Sequence, residues 1–451
     1  MTGGLMQLVA YGAQDIYLTG NPMITFFKVV YRRHTNFAME SIQQTFNGTA
    51  DFGNRVTCTI SRNGDLVSGA YVRAALPQLT ADTQNVRWVD CVGHYLLKEV
   101  DVEIGGQLID RHYADWLEIW AQLTCKSMAG YLEMIGQDGA YTHGLQMPGG
   151  TTFTGMNTDS DDDANTRRII HVPLQFWFCR NVGLALPLIA LQYHEVRVTI
   201  TFETIDNLRV LVGATTTTQA ALEASLWVDY SYLDTDERRR FAQVSHEYLI
   251  EQLQFHGNES YITQTPVLNL NFNHPVKELI WVARQSGNDT NKQWNNYTLR
   301  SNPVDSGSAT IAPLPHTRPI ERVHNTDFTN ALVTPVVDAA LPHNIVQTAR
   351  LQLNGHDRFA TRNGTYFNKV QTAAHHTNVP CSPGINVYSF ALRPEDHQPS
   401  GTCNFSRIDN SRLHLTLKND QVGNEGVIKV FATNYNVLRI MSGMGGLAYS
   451  N

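Results

Sequence analysis

The sequence predicts an all-β chain of two tandem antiparallel domains, and three observations carry that prediction. Short alternating strands are separated by turn residues, one amphipathic helical stretch interrupts them, and the strand pattern occurs twice in the same order. Alternation is clearest in RVTCTISRNGDL (55–66), where Asn63-Gly64 marks a tight turn. It returns at 100–110, 194–203, 225–234, 349–360 and 411–418, in runs rich in β-branched or aromatic residues. The helical stretch is 112–136, where Trp116, Trp120 and Leu123 fall at i, i+4 and i+7 and predict a helix lying over a sheet.

The duplication rests on two pairs. VEIGGQLIDR (102–111) parallels LQLNGHDRFA (351–360), each an alternating strand running into a glycine turn. LQYHEVRVTITF (191–202) parallels IDNSRLHLTLK (408–418), each a polar turn followed by an alternating strand. The offsets are 249 and 217 residues, so the first copy carries 32 more residues between its landmarks. The helix and the polar segment MPGGTTFTGMNTDSDDDAN (147–165) are the expected carriers of that excess. At 451 residues the chain is too long for one core. Copies of roughly 200 residues suit an antiparallel sandwich or barrel, for which an eight-stranded jelly roll is one solution. The join is expected at 234–252, DTDERRRFAQVSHEYLIEQ.

Composition narrows the function. Charged residues make up 17% and hydrophobic ones 42%, the balance of an ordered globular chain. The net charge of −7 repels polyanions, so direct nucleic-acid binding is not expected. Cys58, Cys91, Cys125, Cys179, Cys381 and Cys403 are widely spaced with no C-x-x-C, which points to free thiols and a reducing compartment. The N-terminus lacks the basic region of a secretory signal. The most apolar stretch, 172–191, is broken by Arg180, Asn181 and Pro187, so no transmembrane helix is expected.

The motifs of catalysis are absent. H-x-H, H-E-x-x-H, G-x-x-x-x-G-K and G-x-S-x-G do not occur. Cys91 with His94, and His375 with His376, lack partners at ligand spacing and are expected to be structural. The acidic run 159–165 lacks the oxygen spacing of a calcium loop. No catalytic, metal or cofactor residue is therefore expected. The triplets at Arg32–His34 and Arg238–Arg240 are expected to pair with acids between subunits or domains. Sequons stand at Asn47, Asn258, Asn288, Asn296, Asn363 and Asn404.

Both chain ends mix glycine, turn pairs and apolar residues in the manner of arms that bury against neighbours. Together with 3–44, the segments GLALPLIALQYHEV (183–196), RFAQVSHEYLIEQLQF (240–255), GTCNFSRIDN (401–410) and NYNVLRIMSGMGGLAY (434–449) resemble the major capsid proteins of large icosahedral double-stranded DNA viruses, the phycodnaviruses of algae in particular. The resemblance spans nearly the whole chain. It implies two consecutive eight-stranded antiparallel jelly rolls with helical and loop insertions, and a homotrimeric capsomer of pseudo-hexagonal outline. It also implies contact with neighbouring capsomers and with minor capsid and penton proteins, and a shell whose inner face lies near an internal membrane. On this reading the protein is synthesised and assembled in the host cytoplasm and resides in the virion, without enzymatic activity.

The expected division is an arm at 1–26, a first jelly roll at 27–233, a linker at 234–252 and a second jelly roll at 253–451. Asn21 and Pro22 would redirect the arm, Phe26 and Phe27 would supply apolar area, and Arg32 and Arg33 would pair with acids. Met23 stands where the family usually has Gln. Residues 284–345 resemble nothing familiar and are expected to form outward loops of the second jelly roll, making Asn288 and Asn296, then Asn404, glycosylation candidates. The alternative reading is a glycan-binding jelly-roll attachment protein, with Trp294 and Tyr297 stacking on sugars.

Overall fold

The computed structural model describes residues 3–77, 80–81, 86–136, 168–211, 217–218, 221–290, 292–298, 344–380, 383–418 and 425–449. The polar segment 147–165 and all of 299–343 lie outside them. Met1–Phe37 and Ala38–Asn451 are separate units.

The larger unit holds sixteen principal strands in two sets of eight. The first set is β1 (Phe37–Gln44), β2 (Arg55–Thr59), β3 (Leu66–Leu76), β4 (Leu97–Ile104), β5 (Gln107–Tyr113), β6 (Arg168–Pro173), β7 (Val196–Phe202) and β8 (Glu223–Leu233). The second is β9 (His246–Tyr261), β10 (Val267–Asn269), β11 (Pro275–Gln285), β12 (Val346–Leu353), β13 (His356–Asn363), β14 (Asn386–Ser389), β15 (Ser411–Leu417) and β16 (Gly426–Met441). A last strand, β17 (Met444–Leu447), folds back on β16.

Strand order exposes the repeat. The first set forms a larger sheet β1-β8-β3-β6 and a smaller sheet β2-β7-β4-β5; the second forms β9-β16-β11-β14 and β10-β15-β12-β13. Adding eight to each label of the first set generates the second. The pairings recorded between these strands are antiparallel, and the chain is two consecutive eight-stranded jelly rolls.

Turn chemistry repeats with the topology. Gly105-Gly106 joins β4 to β5 and Asn354-Gly355 joins β12 to β13, each as a two-residue turn. All four residues have positive φ, which suits the twist of a tight hairpin and which glycine and asparagine tolerate best. These are the glycine turns of the first parallel pair in the sequence.

Each jelly roll closes over its own core. Val72, Val102, Ile170, Val198 and Val228 anchor the first, and Leu279, Trp281, Leu351, Leu413 and Val430 the second. The intervening helices differ from expectation in extent. Tyr113 is still strand, α1 runs Ala114–Thr124, and after a break a shorter helix covers Met128–Met134. Between the jelly rolls, α2 (Thr235–Gln243) occupies the join and β9 begins at His246, so the last seven residues of the expected linker 234–252 are strand. Arg238 of the RRR triplet pairs with Asp65 of the first jelly roll at 2.9 Å.

The N-terminal boundary also moves. Residues 27–36 carry no strand, so ITFFKVVYRR belongs with the arm rather than beginning the first jelly roll. Strand propensity in such a run is realised only when a neighbouring strand and a packed face are available. At the other end, residues 434–441 lie within β16 and not in an arm.

Candidate assembly surfaces

A third apolar cluster lies between the jelly rolls. Trp116, Ile119, Trp120 and Leu123 of α1 meet Ile280 and Val282 of β11, Val387 of β14 and Phe431 of β16. The helix thus leaves the first jelly roll at the end of β5 and lies on the outer face of the second one's larger sheet. Leu117, on another side of the helix, enters the first jelly roll's own core. Full burial of each large apolar side chain contributes about 1.5–3 kcal/mol, so these contacts couple the two jelly rolls strongly.

Buried ion pairs border the cluster. Asp115 of α1 pairs with Lys429 of β16 and with Arg284 of β11 at 3.3 Å, and accepts a hydrogen bond from the Tyr297 hydroxyl at 3.0 Å. Burial alone would raise the Asp115 pKa, but the adjacent Lys429 and Arg284 outweigh it and hold the carboxyl below its usual range. Arg180 pairs with Glu251 at 2.9 Å and lies over the Trp120 ring at 4.8 Å, while Glu251 also takes Lys277 at 2.7 Å. Burial pushes the Lys277 pKa down against the pull of Glu251 and Glu278.

His376 sits between two carboxylates, 3.1 Å from Glu278 and 2.9 Å from Glu395. Burial favours the neutral ring, yet Glu278 and Glu395 prevail and raise its pKa to about 9. Of the other two expected structural histidines, His375 meets the Leu392 carbonyl at 3.0 Å, and His94 is engaged on both nitrogens, by Glu118 at 2.7 Å and the Tyr131 hydroxyl at 2.9 Å.

A second clasp comes from the C-terminus. The Tyr193 amide donates to the Gly443 carbonyl at 3.0 Å, and the Leu447 amide donates to Gln107 Oε1 at 3.3 Å. The β16–β17 hairpin of the second jelly roll therefore grips the first. A cleft of about 300 Å³ at the junction is lined by Lys98, Glu203, Trp294 and Lys429 among others. Its lysines are already matched, Lys98 to Glu203 at 3.7 Å and Lys429 to Asp115.

The N-terminal unit is different in kind. It holds a two-turn helix, Gly3–Val9, and one further turn, Ile16–Thr19, with no buried residue in either. Asn21 has φ 55°, a left-handed conformation that asparagine tolerates, directly before Pro22. Phe26 and Phe27 are 91% and 98% exposed. Among the described residues, neither Arg32 nor Arg33 makes an ion pair within this chain.

The sequons divide by burial. Asn288 and Asn296 are 3% and 2% exposed, which corrects the expectation that they stand on outward loops. The Asn288 amide donates to the Asn296 and Thr298 carbonyls at 3.0 and 3.4 Å, and the Asn296 amide donates to Gln293 Oε1 at 2.8 Å. An amide nitrogen so enclosed has no room for a sugar. The cause lies in the fold: the segment after β11 turns inward against α1 instead of leaving the sheet. Tyr297 is fully buried and Trp294 donates its indole N–H to the Asn207 carbonyl at 2.8 Å, so neither offers an open stacking face. Asn404 is exposed, its side-chain oxygen accepting from the Ser406 amide at 3.1 Å. The sequence did hint at this inversion, since a run of Trp, Tyr and Asn with few charges suits an interior hydrogen-bond network as well as a loop.

Comparison with known proteins agrees with this architecture. The family model described as major capsid protein N-terminus matches residues 25–234, and that described as large eukaryotic DNA virus major capsid protein matches residues 237–446. The major capsid proteins of Pyramimonas orientalis virus and Phaeocystis pouchetii virus are 49% and 47% identical to the chain, with each match covering 100% of both chains. Among solved structures, a chain of the PBCV-1 virus capsid superposes with a TM-score of 0.74 at 38% identity, covering 95% of this chain and 100% of the other.

Proposed function

The chain belongs to the major capsid protein family of large eukaryotic DNA viruses, and we propose that three copies close into one capsomer of six jelly rolls. The observation that carries this reading is the repeated strand order, with one jelly roll fixed rigidly to the next. Three chains of two similar domains present six similar edges, so threefold symmetry yields a near-hexagonal block that can tile a shell. The fold is the functional element: the chain works by shape and repetition, with no catalytic step assigned to it.

Within the trimer, an obligate interface above roughly 2,000 Å² is expected, whereas smaller polar contacts between capsomers permit correction during assembly. The same neighbours include minor capsid and penton proteins. The N-terminal unit serves as an arm on the inner face, near an internal membrane, with Asn21-Pro22 redirecting it. Phe26 and Phe27 bury on adjacent subunits, and Arg32 and Arg33 pair with their acids. Assembly takes place in the host cytoplasm.

The test is the mass of the purified full-length protein by size-exclusion chromatography with light scattering. Three chains of 50.6 kDa give about 152 kDa. A stable species of that mass supports the capsomer; a monomer that persists at tens of micromolar overturns it.

A further inference from the structure

The two smaller sheets share a strand order and a hairpin but differ in charge. In the first jelly roll, Val100, Val102 and Ile104 of β4 enter the core, so Glu99, Asp101 and Glu103 stand on the opposite face. The turns Gly105-Gly106 and Asn354-Gly355 align this strand with β12 at an offset of 249 residues. There Ala349 and Leu351 enter the second core, and the outward residues are Thr348, Arg350 and Gln352. Three carboxylates in one copy are thus a guanidinium and two neutral side chains in the other.

The adjacent strands extend the contrast. Across β12 and β15, His414 stands opposite Arg350 and Arg412 opposite Gln352. Arg412 is exposed and forms no ion pair among the described residues, while Arg350 reaches Asp357 only at 3.7 Å. Burial and then these two guanidinium groups hold the His414 pKa below its ordinary value, the mark of a positive local field.

On the first face the cations are already committed. Asp101 takes Arg55 at 3.2 Å and Arg111 at 2.6 Å, and Arg197, opposite Glu103 across β4 and β7, pairs instead with Glu195 at 3.0 Å. Among the described residues, neither Glu99 nor Glu103 forms an ion pair. Both are half-buried at the open face of the sheet.

We propose that the Glu99–Glu103 face of one capsomer docks on the Arg350–Arg412 face of a neighbouring capsomer. The occupant is a second copy because each face finds its complement in charge on the other half of the same chain. The inference rests on the trimeric reading above and assigns a contact between trimers. Around a threefold block the two faces alternate, so opposite edges are unlike, and they meet when neighbouring capsomers share one orientation. Ion pairs at such a surface are individually weak and screened by salt, which suits a contact made many times and corrected during assembly.

The test is the second virial coefficient of the full-length protein, read from the concentration dependence of light scattering at about 50 mM salt and again at about 1 M, where the Debye length shrinks to about 3 Å. Glu103→Arg lowers the magnitude of the chain's net charge of −7 by two, so unspecific repulsion alone would make the low-salt coefficient less positive. Loss of the docking contact makes it more positive than the wild type, and that is the expected result. Arg412→Glu should raise it as well. The two substitutions together restore both net charge and complementarity and should return it to the wild-type value, and at about 1 M salt all variants should agree with the wild type. Each variant should keep the mass of three 50.6 kDa chains and the near-ultraviolet circular dichroism of the wild type. A Glu103→Arg coefficient below that of the wild type overturns the docking. A double variant no closer to the wild type than either single one also overturns it, and gives the Arg350–Arg412 face to an anionic partner other than this chain. A wild-type monomer overturns the trimer on which the contact rests.

Discussion

The two larger sheets share one strand order and differ in what covers them. In β9-β16-β11-β14 both faces are enclosed, one by its own domain core and the other by α1, and every residue of β11 from Val276 to Arg284 is buried. In β1-β8-β3-β6 one face meets the core and the other carries half-buried aromatic residues, Tyr71 stacked on Trp227 among them, while most of β1 is exposed. A duplicated fold therefore fixes where strands go, but each copy's surface chemistry answers to its own neighbour. The buried face records a contact made within the chain, and the open face is the place to look for one made between chains.

The strongest way to break this comparison is to truncate one large aromatic in each setting. Trp120→Ala removes an enclosed side chain and is expected to cost about 3–5 kcal/mol, because packing is lost and a cavity remains. Trp227→Ala in the monomer is expected to cost about 1 kcal/mol, as that side chain is already partly exposed to water. Denaturant midpoints at constant slope measure both. Equal costs would mean that the open face is as tightly packed as the closed one.

The next effect in size is electrostatic and belongs only to the enclosed sheet. His376 has its pKa raised to about 9 by Glu278 and Glu395 despite burial. A raised folded value means that this stabilisation is complete below the unfolded histidine pKa, near 6.5, and is lost as pH rises through about 9. The loss across that window should be on the order of 3 kcal/mol. Glu278 and Glu395 have depressed values, so their contribution is present above the unfolded carboxylate range and disappears as pH falls below it. Stability measured against pH should decline on the alkaline side in the native protein, and His376→Asn should flatten that decline. An unchanged slope in the variant would remove His376 as its source.

A smaller difference separates the sequons. Asn288→Ala strands two carbonyl acceptors in the interior and should cost about 1–3 kcal/mol. Asn404→Ala removes one exposed capping bond and should cost about 0.5–1 kcal/mol. Peptide mass mapping of virion protein should find Asn288 and Asn296 unmodified; a glycan on either would require this segment to fold differently.

How much of this was legible in the sequence follows from burial. Strands with one wet face alternate, and 55–59, 196–202 and 411–417 could be read directly. β11 is enclosed on both sides, its sequence PVKELIWVARQ lacks alternation, and it escaped notice for that reason. The duplication was visible because its hairpin turns demand positive φ and so leave glycine and asparagine behind. Helix α1 was visible through its tryptophans, but their target was not, since periodicity identifies an apolar face and not the surface that receives it. The burial of Asn288 and Asn296 was only hinted at for a related cause: their hydrogen bonds close within 288–298, and the same run of Trp, Tyr and Asn suits a surface loop as well. The run from Ile24 to Arg33 misled in the opposite direction, showing strand propensity with no strand to pair with.

The smallest effect on folding is expected from deleting that run together with everything before it. Residues 1–36 belong to the unit Met1–Phe37, separate from the jelly rolls, and neither of its helices buries a residue. Met23, Phe26 and Phe27 are each more than 90% exposed, so in a single chain their removal gives up little packing and even relieves apolar surface of contact with water. Denaturation of the truncated chain should therefore shift by no more than about 0.5 kcal/mol. The same side chains represent a large apolar area for a neighbour to cover, and assembly should respond where folding does not: trimers of normal mass, but few closed shells by electron microscopy. A loss of stability approaching that of Trp120→Ala would make residues 1–36 part of the folded core. Normal shells from the truncated chain would deprive Phe26 and Phe27 of their role between subunits, and the contrast between a face satisfied within the chain and a surface awaiting another copy would then rest on the sheet faces alone.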